Sequence, residues 1–412
     1  MKLNKWVCAL VLALVLCMVG SVAMAATIKF DGTKTFQEVI DEAAAGDTIL
    51  FTADGAGDGV VITKKLTINF DGHTYLFNRN AVGSTGTTTL AMQIKKSSEY
   101  VKLMNGTLKI DNSNHDADKP FKRVIQGYTN IDLVDMTIDG TNLLKANSGG
   151  DSAVTLNNGT CSITGNTSIT ASKVEGAYAL TVSDYGDGGY TANADVTIDT
   201  TGTIGKIQTA GNEKDKTYTD KVTLTFEGGT FSAHIEDNTG ATKDEYSIVV
   251  EAGTFLGDAA IAGSTESWTP WQNSDIDLLD SNGNLKGCVI GGSDELSAAI
   301  QEYIKAGDRI EVYGLRNRGV KLVNVPNGVT VMNWTGESIS VNGQVVNPPE
   351  IVKDENGNNV IVEGTGSIVV GDSAGYSAPS SGDNSNVMLW AGLMLVSVLG
   401  MVMAAKKRVA ER

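Results

Sequence analysis

The chain has 412 residues and a formal net charge of −16, from 32 basic and 48 acidic side chains. Between residues 26 and 382 the balance is 26 basic against 46 acidic side chains. A surface of this charge repels polyanions, which excludes nucleic acid and anionic lipid as expected partners. The 47 glycines, 6 prolines and many Thr, Val, Ile and Asn residues indicate short strands separated by turns.

The N-terminal segment, Met1–Ala25, has the order of a secretory signal peptide. Lys2 and Lys5 precede an uncharged apolar run from Trp6 to Gly20, and small residues follow as far as Ala25. The apolar run is short for a membrane span, and an Ala-x-Ala cleavage site follows it. We therefore expect export and cleavage after Ala25.

Two segments predict short amphipathic helices, each followed by a strand. In Thr35–Asp47 the apolar residues fall at i, i+3, i+4 and i+7, and Gly46 is placed to end the helix. Glu295–Asp308 repeats this pattern with the same Ala-Gly-Asp turn. The chain is therefore expected to contain two units that begin in the same way.

Between these helices Gly-Thr pairs recur, among them those beginning at Gly106, Gly140, Gly159, Gly202, Gly229 and Gly253. Repeats of about 20–50 residues are typical of solenoids, and we expect a step of about 24 residues here. Glycine would supply the backbone conformation at the corners, and stacked Thr and Asn side chains would hydrogen-bond between coils. The first helix would cover an open end of the sheet.

The two helix–turn–strand segments, at residues 35–51 and 295–313, and the Gly-Thr pairs resemble sequences of the pectin-lyase-like superfamily. This resemblance implies an all-β, right-handed parallel β-helix with a short capping helix, plus a smaller related β unit. The expected domains are a β-helix over residues 26–265, a smaller unit over 266–346 and a stalk over 347–381. Residues 1–25 and 382–412 are the export and sorting segments.

Many members of that superfamily cut acidic polysaccharides with clustered or paired carboxylates. Here the adjacent carboxylates Asp41-Glu42, Asp244-Glu245, Asp294-Glu295 and Asp354-Glu355 lie in helical or loop contexts. The three histidines, His73, His115 and His234, lie in polar or turn sequences, with His73 expected at a corner. No acid and base pair is identifiable, so no catalytic residue is predicted.

No metal site or cofactor is predicted either. The Asp280–Asn284 and Asp354–Asn358 segments alternate oxygen ligands, but they lack the EF-hand glycine and glutamate and are better explained as Asn-Gly turns. After signal removal only Cys161 and Cys288 remain, without a Cys/His pattern for zinc. Whether these two cysteines pair is left open.

Aromatic residues suggest one ligand contact. Trp268 and Trp271 flank Pro270, which breaks any strand, so this pair either stacks on sugar rings or seals the two units together. Arg316 and Arg318 could contact an acidic sugar, although an exposed turn is the better explanation of them.

The C-terminal region predicts a membrane anchor. Val387–Ala405 is an uninterrupted run of uncharged residues, long enough to cross a bilayer as a helix. Lys406, Lys407 and Arg408 follow directly, which places the tail in the cytoplasm and residues 26–386 outside.

The sequence Ala378-Pro379-Ser380-Ser381-Gly382 precedes this run. It resembles the Leu-Pro-x-Thr-Gly sorting motif of Gram-positive sortase substrates. Pro379 and Gly382 match, whereas Ala378 and Ser381 replace Leu and Thr. The resemblance implies that a sortase cleaves after Ser381 and joins the chain to peptidoglycan; a plain membrane-anchored protein with a Pro/Ser/Gly stalk is the alternative.

Three functions stay open from the sequence. The leading hypothesis is a non-catalytic, surface-anchored protein that binds a glycan or a host or neighbouring surface. A polysaccharide lyase or hydrolase would require carboxylates and basic residues on one face of the coil. A structural envelope component would show neither binding nor turnover.

Overall fold

The computed structural model describes residues 25–83, 88–113, 120–144, 152–184, 193–211, 222–239, 247–262, 274–291, 298–314 and 320–371. The chain forms two compact units. Of the described residues, the first unit contains those from 25 to 224 and 237–239, and the second contains 225–236 and those from 247 to 371. The boundary between the units falls inside two strands, which are Val222–Gly228 and Ile235–Asn238.

The first unit is built from two parallel sheets. The first sheet contains Thr27–Phe30, Thr48–Phe51, Leu66–Asn69, Tyr100–Ile110, Asn130–Asp139, Gly159–Gly165 and Ala194–Thr200, with Gly55–Gly57, Thr74–Phe77 and Ser168–Thr170 beside them. The second sheet contains Val60–Ile62, Leu90–Ile94, Arg123–Gly127, Ser152–Asn157, Tyr178–Ser183 and Ile207–Ala210. This confirms the predicted all-β class with parallel pairing.

From Leu90 onward the chain alternates between the two sheets, so each coil adds one strand to each sheet. In the first sheet Thr48 pairs with Thr67, Thr67 with Lys102, Lys102 with Asp132 and Asp132 with Ser162. The first of these steps is 19 residues long and the later three are 35, 30 and 30 residues long, so the expected step of about 24 residues is wrong. The six Gly-Thr pairs from Gly106 to Gly253 bound five intervals, which average about 29 residues and agree with the longer steps, although the pairs occupy different places in the coil.

Glycine has different roles at these places. Gly159 begins a strand with φ 88°, the left-handed conformation expected at a corner. Gly106 lies inside Tyr100–Ile110, directly after Asn105, which itself has φ 58°. A Cβ at Gly106 would stand 2.1 Å from Cβ of Phe70, so this glycine makes room for a neighbouring coil.

Rows of apolar side chains fill the interior of the first unit. Because side chains alternate along a strand, each strand sends every second residue inward. One row of the first sheet runs through Leu66, Val101, Ile131, Cys161 and Val196, and the next through Ile49, Ile68, Leu103, Leu133, Ile163 and Ile198, all buried. Met92, Ile125, Val154, Leu180 and Ile207 form a buried row of the second sheet.

The predicted first helix spans Phe36–Glu42 and carries a capping box between Thr35 and Glu38. Its Phe36 is fully buried and lies 5.1 Å from the ring of Phe51 and 4.9 Å from the ring of Tyr75, measured between centroids. The helix thus packs its apolar face onto the aromatic residues of the first strands.

The second unit is a mixed β structure. Its seven-stranded sheet runs in the order Thr230–Phe231, Gly253–Leu256, Leu285–Ile290, Ile276–Leu279, Arg309–Val312, Thr330–Asn333 and Ser367–Val369. The remaining elements are the strands Ile248–Val250, Lys321–Leu322, Ile339–Val341, Gln344–Val346, Ile351–Lys353 and Asn359–Ile361, with helices Asp258–Ala262 and Ala298–Tyr303. One face of the large sheet contributes Ile276, Leu278, Ile310, Val312 and Val331 to the core.

The helix and the strand predicted in the second segment, residues 295–313, are confirmed. Ala298–Tyr303 is a helix, and Arg309–Val312 pairs in parallel with Thr330–Asn333, as Thr48–Phe51 pairs with Leu66–Asn69. In both turns a buried aspartate accepts a hydrogen bond from the backbone N–H three residues earlier: Asp47 from Ala44 and Asp308 from Lys305. The repeated Ala-Gly-Asp sequence is therefore a repeated turn.

Both Asn-Gly segments are tight turns, as predicted. Asp280 closes the antiparallel hairpin of Ile276–Leu279 and Leu285–Ile290, with its carboxylate accepting from the N–H groups of Asn282 and Asn284. Asp354 closes the hairpin of Ile351–Lys353 and Asn359–Ile361 in the same way, with its carboxylate accepting from the N–H groups of Asn356 and Asn358.

In the part of the chain that the structure describes, no helix is both long and apolar enough to cross a bilayer.

Candidate functional site

The outward face of the first sheet carries a regular array of half-exposed polar side chains. In its central row Thr48, Thr67, Lys102, Asp132, Ser162 and Thr197 are in register on successive strands. A second hydroxyl row, further along the strands, contains Thr74, Thr107, Thr137 and Ser168. The parallel pairing therefore spaces equivalent side chains at one per strand, about 4.8 Å apart.

Asp132 lies at the centre of this face and holds two hydroxyl groups in place. The hydroxyl of Tyr100 donates to Asp132 Oδ2 at 2.6 Å, and the hydroxyl of Ser162 donates to Asp132 Oδ1 at 2.7 Å. Burial, together with the hydrogen bond to Asp132, raises the pKa of Tyr100 to about 12, so its ring stays neutral. The Tyr100 ring is thereby fixed in orientation and half-exposed to solvent.

Two lysines flank that ring. The Nζ atom of Lys65 lies 5.8 Å from the centroid of the Tyr100 ring, within the range of a cation–π contact. Lys102 lies two residues after Tyr100, on the same face of the strand, and is in register with Asp132. We call Lys65, Tyr100, Lys102 and Asp132 the tyrosine–lysine patch.

The segment that supplies Lys65, Tyr100 and Lys102 has a charge balance opposite to that of the chain as a whole. Residues 64–109 contain seven basic and two acidic side chains, whereas residues 124–371 contain 14 basic and 33 acidic side chains. Surface charges separated by more than about 10 Å are largely screened at moderate salt, so a ligand senses mainly the local balance. An anionic polymer therefore meets less repulsion from residues 64–109 than from residues 124–371.

The second sheet has a polar row that is buried. Gln93, Gln126, Thr155, Thr181 and Gln208 are in register, and all of them are buried. Gln208 donates to Thr181 at 3.0 Å, which joins the side chains of two coils. Because these side chains are covered, the row stabilises the coil and offers little surface to a ligand.

The second unit contains a pair of carboxyl groups on neighbouring strands. Asp277 and Glu311 are directly opposite in an antiparallel pair. The hydroxyl of Tyr313 donates to Glu311 at 2.5 Å and also hydrogen-bonds Asp277, while Ser274 donates to Asp277 at 2.6 Å. Burial and the nearby Glu311 charge raise the pKa of Asp277 to about 6, against the lowering effect of the Ser274 hydrogen bond.

Among the predicted histidine and carboxylate positions, those that the structure describes do not converge on a site. His73 follows the corner formed by Asp71 and Gly72, as expected, and its Nδ1 lies 3.2 Å from Asp54 Oδ1. His234 contacts Glu236 at 2.7 Å between Nε2 and Oε1. Among the described residues no group of three or more His, Cys, Asp or Glu side chains is arranged to hold a metal ion.

The two cysteines are free and buried. Cys161 occupies an interior position of the first unit, where its neighbours in the row are Ile131 and Val196. Burial raises the pKa of its thiol to about 12, and burial likewise raises the pKa of Cys288. Both cysteines are therefore small core residues without the thiolate character that reactive cysteines need.

Several predicted positions lie outside the described residues. These are the ligand-contact candidates Trp268 and Trp271, the arginines Arg316 and Arg318, His115, the carboxylate pairs 244–245 and 294–295, the signal peptide up to residue 24, the sorting residues 378–382 and the span 387–405. The chain matches no family model, no curated protein and no solved structure.

Sequence reasoning missed the tyrosine–lysine patch. A signal for it exists in the lysine pairs at 64–65 and 95–96, each directly before a first-sheet strand or the turn leading to one. This signal could not be interpreted without knowledge of the strand pairing. Lys65 and Tyr100 are distant in the sequence and meet only through the register of Leu66 with Val101.

Proposed function

We propose that this chain is a secreted, surface-anchored protein that binds an anionic glycan without cleaving it, through the tyrosine–lysine patch. The observation that carries the proposal is the half-exposed Tyr100 ring, fixed by Asp132 and flanked by Lys65 and Lys102 on the outward face of a parallel sheet. The fold proposed with it is a right-handed parallel β-helix of the pectin-lyase-like kind. Alternation of strands between two parallel sheets supports this fold.

The anchoring part of the proposal rests on the chain ends. The signal-peptide order of residues 1–25 supports export, and the sorting-like residues 378–382, the apolar run and the basic tail support attachment to peptidoglycan by a sortase. In that arrangement the patch lies outside the cell, and the proposed partner is a host or neighbouring surface glycan.

The chemistry of the patch suits a sugar chain with acidic groups. The Tyr100 ring offers an apolar face for a sugar ring, and the two ammonium groups donate charge-assisted hydrogen bonds to carboxylate or sulfate oxygens. Each exposed contact contributes only about 1 kcal/mol. Rows of hydroxyl groups on neighbouring strands allow an extended polymer to make several such contacts at once, which raises its overall affinity.

Purified residues 26–377 incubated with acidic and neutral polysaccharides test this proposal, with size-exclusion chromatography following both co-migration and polymer length. We expect co-migration with an acidic polymer of unchanged length. Lys65→Gln combined with Tyr100→Ala should weaken binding at least tenfold, whereas Lys206→Gln with Tyr178→Ala should have little effect. The control pair has a similar Lys–Tyr contact, at 4.4 Å. Absence of binding to every acidic polymer would refute the proposal.

One observation favours the alternative of a polysaccharide hydrolase. Asp277, with a pKa of about 6, and Glu311 share Tyr313, and paired carboxyl groups of different pKa are what glycoside hydrolysis uses. In that case a polymer would be shortened in the same chromatography run. The cleavage would disappear in both Asp277→Asn and Glu311→Gln; an unshortened polymer rejects this alternative for the sugars tested.

A further inference from the structure

Exposed apolar side chains are concentrated in one short stretch of the second unit. Among the described residues six large hydrophobic side chains are exposed: Leu144, Val345, Ile351, Val352, Val360 and Ile361. Five of the six lie between residues 345 and 361. Scattered exposed apolar residues need no explanation, but a cluster of this kind marks a surface that is covered by a partner.

Four of them belong to a two-stranded hairpin, Ile351–Lys353 with Asn359–Ile361, which we call the apolar hairpin. Ile351 is opposite Ile361, and Val352 is opposite Val360, so the two pairs lie on opposite faces of the hairpin. All residues of both strands are exposed. A two-stranded hairpin is only marginally stable in water, and it gains from the addition of a third strand.

The apolar hairpin is nevertheless fixed at both ends. At its tip the Asp354 carboxylate accepts hydrogen bonds from the N–H groups of Asn356 and Asn358. At its base Val362 N donates to the carbonyl of Glu350, and Glu350 N donates to the hydroxyl of Thr365. A hairpin held in this way loses little conformational freedom when a partner binds.

The hydrogen-bond alternation decides which backbone groups are available to a partner. The backbone bonds of Asp354 to Asn358 and of Val362 to Glu350 define the hydrogen-bonded positions of the antiparallel pair. Lys353 and Asn359 therefore form a non-hydrogen-bonded pair, and their N–H and C=O groups point to the two outer edges. These edges are able to pair with an added strand.

Charge decides the chemistry of that strand. Glu350, Asp354, Glu355 and Glu363 surround the apolar residues, and Lys353 is the single basic residue between positions 350 and 363. A second copy of this chain would bring its own acidic groups against these. We propose that the apolar hairpin is the docking edge for a partner protein, which adds a β-strand whose branched apolar residues alternate with lysine or arginine.

The test uses the full chain in detergent and a fluorescent seven-residue peptide in which lysine alternates with valine. We expect anisotropy to report binding of this peptide, with the corresponding glutamate–valine peptide binding at least tenfold more weakly. Amide hydrogen exchange should slow at the outer edge, at Asn359 or at Lys353, when the lysine–valine peptide is bound.

Proline variants identify the pairing edge. Asn359→Pro and Lys353→Pro each remove one outward N–H without breaking a hydrogen bond within the hairpin. At least one of these variants should weaken binding of the lysine–valine peptide at least tenfold. Asn359→Ala and Lys353→Ala, which keep the N–H, are the matched controls. The proposal is overturned if neither proline variant differs from its alanine control, or if the glutamate peptide binds equally well. It is also overturned if the protein alone forms a dimer that Asn359→Pro abolishes, since the partner is then a second copy.

Discussion

Replacing Asp277 with asparagine should stabilise the second unit at neutral pH and leave it unchanged near pH 4. Folding raises the pKa of Asp277 from an ordinary value of 3.8 to about 6, chiefly through burial. This difference corresponds to about 3 kcal/mol between the neutral and ionised forms. A carboxyl group with a raised folded-state pKa favours the folded state below pH 3.8, and that contribution is lost as the pH rises to about 6 and beyond.

Asparagine stays neutral throughout this range and still accepts the hydrogen bond from Ser274. An uncharged amide group at this position also removes the repulsion between the Asp277 carboxylate and Glu311. We therefore expect a gain of about 2–3 kcal/mol in the free energy of unfolding above pH 7, shrinking to nearly zero at pH 4.

The assay is urea unfolding of Asp277→Asn and the parent protein at pH 4, 5.5 and 7.5, with the free-energy difference taken from the midpoints. Asp258→Asn is the control, since it removes an exposed carboxylate from the same unit. A difference that does not change with pH, or an asparagine variant less stable than the parent at pH 7.5, would contradict the reasoning.

Three further predictions follow from the packing. Gly106→Ala should destabilise the first unit by about 3 kcal/mol, seen as a lower thermal midpoint, because its Cβ would stand 2.1 Å from Cβ of Phe70. Cys161 should resist iodoacetamide in the folded protein and react only after denaturation, as its raised thiol pKa and burial require, which mass spectrometry measures. Asp308→Ala should cost about 3–5 kcal/mol in urea unfolding, because it leaves the largely buried ammonium group of Lys286 without its carboxylate.

Features encoded by neighbouring residues could be predicted from the sequence. The Phe36–Glu42 helix follows from its apolar spacing and from the Thr35 cap, and the turns at Asp280 and Asp354 follow from Asn-Gly chemistry. These interactions span only a few residues, so they do not depend on the rest of the fold.

Features that depend on pairing between distant strands could not be predicted. The register of Thr67 with Lys102 and of Lys102 with Asp132 shows that the coils have unequal lengths, and the Gly-Thr spacing carries no information about this. The tyrosine–lysine patch and the Asp277–Glu311 pair depend on such registers, and sequence neighbours gave no reason to join them. The free state of Cys161 and Cys288 likewise follows from their burial in separate places.

Lysine acetylation in the presence and absence of an acidic polysaccharide tests the central claim most directly. Mass spectrometry would measure the modification rate of each lysine in residues 26–377. The account predicts that the polymer protects Lys65 and Lys102 at least fivefold and leaves Lys206 and Lys353 unchanged. Uniform protection of all four lysines, or protection that spares Lys65 and Lys102, would contradict a glycan site at the tyrosine–lysine patch.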